Sequence, residues 1–590
     1  MEIYKSKVST ASADLSAINA KYNTISFLRL VSIVIGLGSL YFYIKNSDTI
    51  YIGLAVVFFA AFIVFMRLHS KLLFKRRIKE ALIKINQDEI SYLEDAKLPF
   101  ENGLEFNDFQ HPYAYDLDIF GEHSLFQNLN RTATFIGKKI VAQGLLQLSP
   151  NAVIMDNQEA IKELEGKLDW RQGFLALAKI SQDTKATYES LLKWSKFGIS
   201  PLPKWVNWVS YATPVLFLGC LITYFVTLNT VFLTLLSYVF ILNLIVLGLF
   251  FKRIQAETAN SAAIDKVISQ YSLLLKKIEE EPFESKKLKQ LQQKLQFESE
   301  NASEHIQELS GLFSNMDTIA NLVTASLFNG SFLFNLHVLK KLLKWKEQHA
   351  SVLEEWLEVI GEFEMLNSLT NFSYNNPDFV FPSLNTNHEI DFASLSHPLL
   401  NKKSRVGNDV QFHPQSFMIL TGSNMSGKST FLRSLGVNMV LAGLGSVVCA
   451  SKANVHPLPI LVSMRLSDSL SDSESYFFAE IKRLKQIMDA LEQQPAFVLL
   501  DEILRGTNSD DKRNGTIEVV KKVIAKQAIG AIATHDIEVC LTTNDYPDVL
   551  TNQCFEVEIV NDDLHFDYKL RQGICKNKSA TFLMTKMGVI

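Results

Sequence analysis

Three short stretches near the C-terminal end have the residue types and spacings of phosphate chemistry. Gly422-Ser423-Asn424-Met425-Ser426-Gly427-Lys428-Ser429-Thr430 fits G-x-x-x-x-G-K-[ST] and follows directly on the apolar run Phe417–Leu420. In such a loop the glycines let backbone N–H groups wrap phosphate oxygens. The Lys428 ammonium reaches the β/γ oxygens, and the Ser429 hydroxyl can ligate Mg²⁺. The second stretch, Ala496–Leu500, is a continuous apolar run of the kind buried in a parallel sheet, and it ends in Asp501-Glu502. An Asp at that strand end suits a Mg²⁺ shell, and the adjacent Glu502 can polarise an attacking water. The third stretch, Gly530–Thr534, leads to His535, at a strand end suited to sensing the γ-phosphate or positioning water. Alone, His535 would read as a surface histidine; the order of the three stretches gives it a place in a nucleotide site.

These elements demand an α/β sheet whose strand ends converge. The order of motifs resembles the MutS family of ATPases, which are related to the ABC ATPases. Asn424-Met425 and Lys428-Ser-Thr match that family's G-P-N-M-x-G-K-S-T, with Ser423 in place of Pro and Ser426 in place of Gly or Ala. Asp501-Glu-Ile-Leu-Arg505-Gly506-Thr507 is similar to its D-E-x-G-R-G-T, with Leu504 where the family has glycine. Thr534-His535 is similar to its T-H, and Ser475-Tyr-Phe477-Phe-Ala-Glu480 to its S-T-F-x-x-E. His397-Pro398 and Asn408-Asp409 resemble landmarks ahead of the loop, and Leu125–Gly137 resembles the start of the family's helical core. Tyr568–Gly573 and Gly588–Ile590 resemble the end of its ATPase domain.

The resemblance implies ATP and Mg²⁺ as cofactors. It also implies a homodimer in which Ser475 reaches the partner's γ-phosphate, and it brings DNA, mismatched or structured, into view as a partner. The chain departs from the family at its start, where no mismatch-reading domain can be assigned. No adenine-stacking aromatic is apparent near Arg405–Asn408.

The rest of the chain is greasier than a soluble ATPase needs, with 41 phenylalanines in 590 residues. Four apolar segments account for this, at about 27–44, 50–66, 209–227 and 231–251, each near the ~17–25 residues that span a hydrocarbon core. They come in pairs joined by Lys45–Thr49 and Leu228–Thr230, as helical hairpins would. Basic residues (Arg67, Lys71, Lys75, Arg76, Arg77 and Lys79; Lys193, Lys196 and Lys204; Lys252 and Arg253) flank the outer ends of the pairs. By the positive-inside rule the soluble parts face the cytoplasm of a multi-pass protein of the cell (inner) membrane. The five cysteines are scattered without metal-ligand spacing, and a formal charge of −4 gives no global nucleic-acid footprint.

The expected organisation is an N-terminal tail and first hairpin over 1–80, a helical core over 81–204, and a second hairpin over 205–253. Long lever-like helices follow over 254–375, then an α/β P-loop, ABC-like ATPase domain over 376–590. Two functions fit this plan: an ATPase coupled to DNA, or an ATP-driven membrane scaffold or transporter-like switch acting on a protein partner without DNA.

Overall fold

The computed structural model describes the chain except residues 95–97, 182, 199–200, 258–260, 319–321, 466–475, 561–562, 576–583 and 585–590. A mostly helical N-terminal region is followed by a C-terminal α/β region with mixed sheets.

The first 93 residues form two antiparallel helices, Glu2–Asn46 and Thr49–Leu93. Ser47 turns the chain in the left-handed region at φ 53°, and the Asp48 carboxylate caps the second helix by accepting from Ile50 N. At 1.5 Å per residue each helix is about 67 Å long, so the apolar segments are only the distal parts of a longer rod. The stretch expected as a tail is helical from Glu2 because it has partners. Tyr4 is buried, its hydroxyl donating to Asn375 Oδ1 at 2.8 Å, and Lys79 pairs with Asp14 across the hairpin.

The helical core, Phe135–Leu146, Asn151–Glu165, Leu168–Lys179 and Lys185–Lys196, packs around the 42-residue helix Phe334–Asn375. That helix carries Trp345, Trp356, Leu357, Ile360 and Phe363 into the interior, and its last third is buried on nearly every side. Within the stretch expected as long lever-like helices, this one is the central spine of the helical core. Fully buried Glu364 accepts from Ala133 N at 2.7 Å and from Thr134 N and Oγ. Thr134 in turn caps Phe135–Leu146 through Gly137 N at 3.0 Å. Burial pushes the Glu364 carboxyl up to about 7, against those hydrogen bonds.

The second hairpin, Lys204–Thr227 and Thr230–Glu257, stands on the spine. Glu257 at its base is buried and receives the Trp194 indole N–H at 3.0 Å and the buried Lys346 ammonium at 3.3 Å. All four apolar segments lie on helices long and apolar enough to cross a membrane.

The α/β region holds a six-stranded sheet in the order Leu570–Gln572, Leu550–Phe555, Phe417–Gly422, Ile529–Ala533, Phe497–Asp501 and Ile460–Ser463, parallel except for the first. Beside it lies a four-stranded sheet of Ser383–Leu384, Lys452–Val455, Ile390–Leu395 and Asn408–Phe412. The helix Lys428–Leu444 is buried almost throughout. Its Leu444 carbonyl accepts from Asn157 of the helical core, and Gly436 lies against Leu117. The Asp116 carboxylate accepts from Met464 N and Arg465 N, both at 2.8 Å. One cluster of buried apolar side chains consequently runs from Tyr113 to Phe555, across the expected boundary at 375–376.

Gly137 leaves the space that Glu364 occupies, since a Cβ there would lie 2.0 Å from Glu364 Oε2. Gly137→Ala should therefore cost about 1–3 kcal/mol through overpacking and lower the thermal midpoint, whereas Lys139→Ala on the same helix should not. Equal melting of the two variants would refute the contact.

Candidate nucleotide site

The site begins with the way the sheet lines up its strand ends. Ile529–Ala533 pairs in parallel with both Phe417–Gly422 and Phe497–Asp501. The segments that follow, 423–427, 502–507 and 534–536, therefore emerge side by side. Two cross-links continue the pairing, from Thr534 N to Leu420 O at 3.0 Å and from Glu502 N to Ala533 O at 2.9 Å.

Between strand and helix the phosphate loop turns through Met425 at φ 67° and Gly427 at φ 102°, a conformation for which glycine is the natural choice. Gly427 also lies under the Tyr568 ring, and an added Cβ would sit 3.1 Å from it. Buried Lys428 donates to Gly422 O at 2.9 Å and Ser423 O at 3.1 Å, so its ammonium is held over the loop. Burial lowers its pKa, opposed by the charges of Glu502 and Asp501. The buried Ser423 and Ser426 hydroxyls have no hydrogen-bond partner, leaving polar groups for an anion in the loop.

His535 Nε2 lies 3.3 Å from Lys428 Nζ and 2.8 Å from Glu502 Oε1. That hydrogen bond, followed by the charges of His535, Arg505 and Lys428, holds the Glu502 carboxyl down at about 2 against the effect of burial. Asp501 is buried, which raises its pKa; the Ser429 hydroxyl bonds it, yet Oδ1 remains unpartnered. A hydroxyl beside a buried carboxylate with a free lone pair is a donor set that fits Mg²⁺, a hard oxygen-seeking ion. The structure thus brings together Gly422–Thr430, Asp501, Glu502 and His535, whereas Ser475 lies outside the described residues.

Two contributors have roles that the motif matches leave unassigned. A cleft of about 560 Å³ opens beside the loop, lined by Leu395, His397, Val406, Asn424–Thr430 and Tyr568 among others. Its size is that of a small-molecule site. Tyr568 provides an aromatic wall there because Asn408 grips its segment, donating to Tyr568 O at 3.0 Å and accepting from Leu570 N at 2.8 Å. Tyr568 had stood out only as part of a domain ending, and nothing local ties it to Gly427.

The other is Glu480, which accepts from Leu504 N at 2.7 Å and Arg505 N at 3.1 Å and so anchors the loop behind Asp501-Glu502. Burial raises its pKa, opposed by those two bonds. Leu504 sits at φ 61°, the left-handed region that explains why a glycine is at home there. Its side chain is nonetheless buried, packing where Gly515 leaves room.

Glu480→Ala should strand the buried Leu504 N–H and free the part-buried Arg505 N–H, at about 1–3 kcal/mol. Hydrogen exchange at Leu504 and Arg505 should then accelerate while the core of the sheet stays protected. Unchanged exchange at these two amides would remove Glu480 as the anchor.

Residues 418–588 match the family model described as MutS domain V. MutS protein homolog 4 of Homo sapiens is 28% identical over 250 residues, covering 40% of this chain and 26% of that protein. The DNA mismatch repair protein MutS of Methanococcoides burtonii is 30% identical over 234 residues, 38% of this chain and 26% of that protein. The DNA mismatch repair protein MSH3 of Arabidopsis thaliana is 28% identical over 253 residues, 40% of this chain and 23% of that protein. The chain thus spans about a quarter of the length of the relatives it matches. Over its C-terminal third, where the phosphate loop, Asp501, Glu502 and His535 converge, this chain is similar to MutS domain V and to the MutS proteins that carry it.

Proposed function

We propose that this chain is a membrane-anchored, MutS-like ATPase that hydrolyses ATP at composite sites in a homodimer and couples the cycle to DNA, mismatched or structured. The observation that carries the reading is the convergence of Lys428, His535 and Glu502 within hydrogen-bonding reach beside the half-satisfied Asp501. Lys428 exchanges the carbonyls of its own loop for the β/γ-phosphate oxygens. Ser429 and Asp501 would hold Mg²⁺, which when bound would neutralise phosphate charge. Glu502, kept ionised by His535, orients water for in-line attack, and His535 positions that carboxylate. Ser475 contributes from the partner subunit, as the resemblance implies. The DNA arm draws support from the relatives named as mismatch repair proteins.

Output toward the membrane is supported by packing. The helix that starts at Lys428 lies against Leu117, Gly144 and Asn157 of the helical core. The spine crosses that core to reach Lys346 and Glu257 under the second hairpin. In this reading the chain sits in the inner membrane with its ATPase region in the cytoplasm, as the basic residues flanking the outer ends of both hairpins favour. The two hairpins and the near-neutral charge favour a second reading, in which the same cycle drives a protein partner without DNA.

Lys428→Ala should abolish tight ATP binding, and Glu502→Gln should bind ATP but turn over about 10²–10⁴-fold more slowly. Nucleotide binding and steady-state hydrolysis by the detergent-purified chain, with duplex, mismatched and branched DNA and with none, read both arms. Normal affinity in the first variant sinks the phosphate-loop role, and turnover indifferent to every DNA selects the protein-partner reading. In membranes, carbonate should leave the chain in the pellet; its release would return the four apolar helices to packing within a soluble fold.

A further inference from the structure

From Thr318 to Leu339 the sequence contains no Asp, Glu, Lys or Arg, and it is bounded by Asp317 on one side and Lys340, Lys341 and Lys344 on the other. The described part is a short helix, Leu322–Phe332, that reverses at Leu333 into the start of the spine. Leu333 is at φ 49°, and the reversal is closed from within. Leu333 N donates to Asn329 O at 2.9 Å, and Asn335 N donates to the Asn329 side-chain oxygen at 2.8 Å.

This bend packs on the flank of the second hairpin, well above its basic ends. Asn243 donates to Gly330 O at 2.8 Å, and a Cβ on Gly330 would lie 2.3 Å from the Phe240 ring. Phe332 meets Phe217 with ring centroids 6.1 Å apart. Phe217 is thirteen residues beyond Lys204, and Phe240 is twelve before Lys252. At 1.5 Å per residue the bend therefore stands about 18–20 Å from those charges. In hydrocarbon ~30 Å thick that is close to the midplane. The chain then descends along the hairpin, with His337 Nε2 2.8 Å from Ser210 O and Lys340 donating to the Ser210 hydroxyl at 3.1 Å. On the short helix Val323, Leu327 and Phe328 are exposed, Val323 by 74%, as are Tyr238, Ile241 and Ile245 of the hairpin it packs against.

We propose that Leu322–Leu339 is a re-entrant membrane segment, a helical bend that dips into the cytoplasmic leaflet beside the second hairpin and presents Val323, Leu327 and Phe328 to lipid acyl chains. The inference rests on the membrane reading above and adds an element that the four-span plan lacks. Three features fit lipid as the occupant. The exposed residues are large and apolar, like those exposed on the hairpin beside them. The reversal supplies its own hydrogen bonds, as backbone at that depth must. The three lysines at its exit lie where anionic headgroups begin. Gly330 allows the close helix approach that small residues provide inside membranes.

The test uses the full chain in phosphatidylcholine–phosphatidylglycerol liposomes, in a Cys220→Ser, Cys575→Ser background. Leu327→Cys and, separately, Val323→Cys carry an environment-sensitive fluorophore, with Ile222→Cys on the second hairpin and Glu518→Cys on the α/β region as references. The labels at 327 and 323 should match that at 222, with blue-shifted emission, strong quenching by acyl-chain nitroxides and little by aqueous iodide. The label at 518 should show the reverse. Iodide quenching at 327 and 323 with lipid quenching at 222 overturns the re-entrant segment and leaves the membrane reading standing. Protection of 327 and 323 from both quenchers overturns it in favour of a protein cover such as a second copy. Iodide quenching at 222 itself overturns the membrane reading, and this inference with it.

Discussion

The helix Phe334–Asn375 carries polar groups to three places from which water is largely excluded, and each is satisfied by a different part of the chain. Lys346 is paired by Glu257 of the second hairpin, and Glu364 is received by the Ala133–Thr134 backbone of the helical core. Asn375 bonds both Tyr4 and Glu89 of the first hairpin, and Arg131 completes that joint by pairing with Glu89. A buried charge left alone is far costlier than an exposed one, and removing one partner of a buried pair typically costs ~3–5 kcal/mol. These joints therefore specify where each unit attaches, beyond what non-directional apolar packing can do. Both hairpins and the helical core take their positions from one helix.

The nucleotide site is built on the opposite principle, with polar capacity held partly unfilled. Lys428 is occupied by carbonyls of its own loop, Asp501 keeps a free oxygen, and the Ser423 and Ser426 hydroxyls are unpartnered. Glu502, by contrast, is fully engaged by His535 and Arg505 and stays ionised despite partial burial. Groups that must change partners sit in weak or incomplete arrangements, whereas the group that must hold one protonation state is fastened. The loop behind it is held in turn by Glu480, from the helix that follows Ser475. Any shift in that helix therefore has a direct mechanical route to Asp501 and Glu502.

Legibility differed by element for physical reasons. The phosphate loop, the Asp501-Glu502 strand end and Thr534-His535 could be read from the sequence because local spacing alone dictates them. A strand must deliver each group, and each group sits within a residue or two of its strand. The four apolar segments were legible because length and composition are local properties. The parts that Tyr568 and Glu480 play were not, although the motif matches include both, since each acts through tertiary hydrogen bonds that leave no periodic signal. Leu322–Leu339 went unread because Asn329, Gly330, Asn335 and His337 interrupt its apolar run, and the reversal at Leu333 leaves no local signal.

The sequence by itself determined the chemistry on offer: an anion-wrapping loop, a metal-seeking carboxylate, a neighbouring carboxylate that can polarise water, and four helices greasy enough for lipid. Only the tertiary structure decided which side chains converge. Adjacency of the strand beginning at Phe417 and those ending at Asp501 and Ala533 is a property of the sheet, not of any one strand. In the same way, the sequence marks Phe334–Asn375 as part of a long helical stretch, and packing decides which of its faces are covered. Local propensity and spacing act over a few residues and are written in the chain. The pairing of buried charges and the closing of a cleft depend on groups hundreds of residues apart, and only the assembled core brings them within hydrogen-bonding distance.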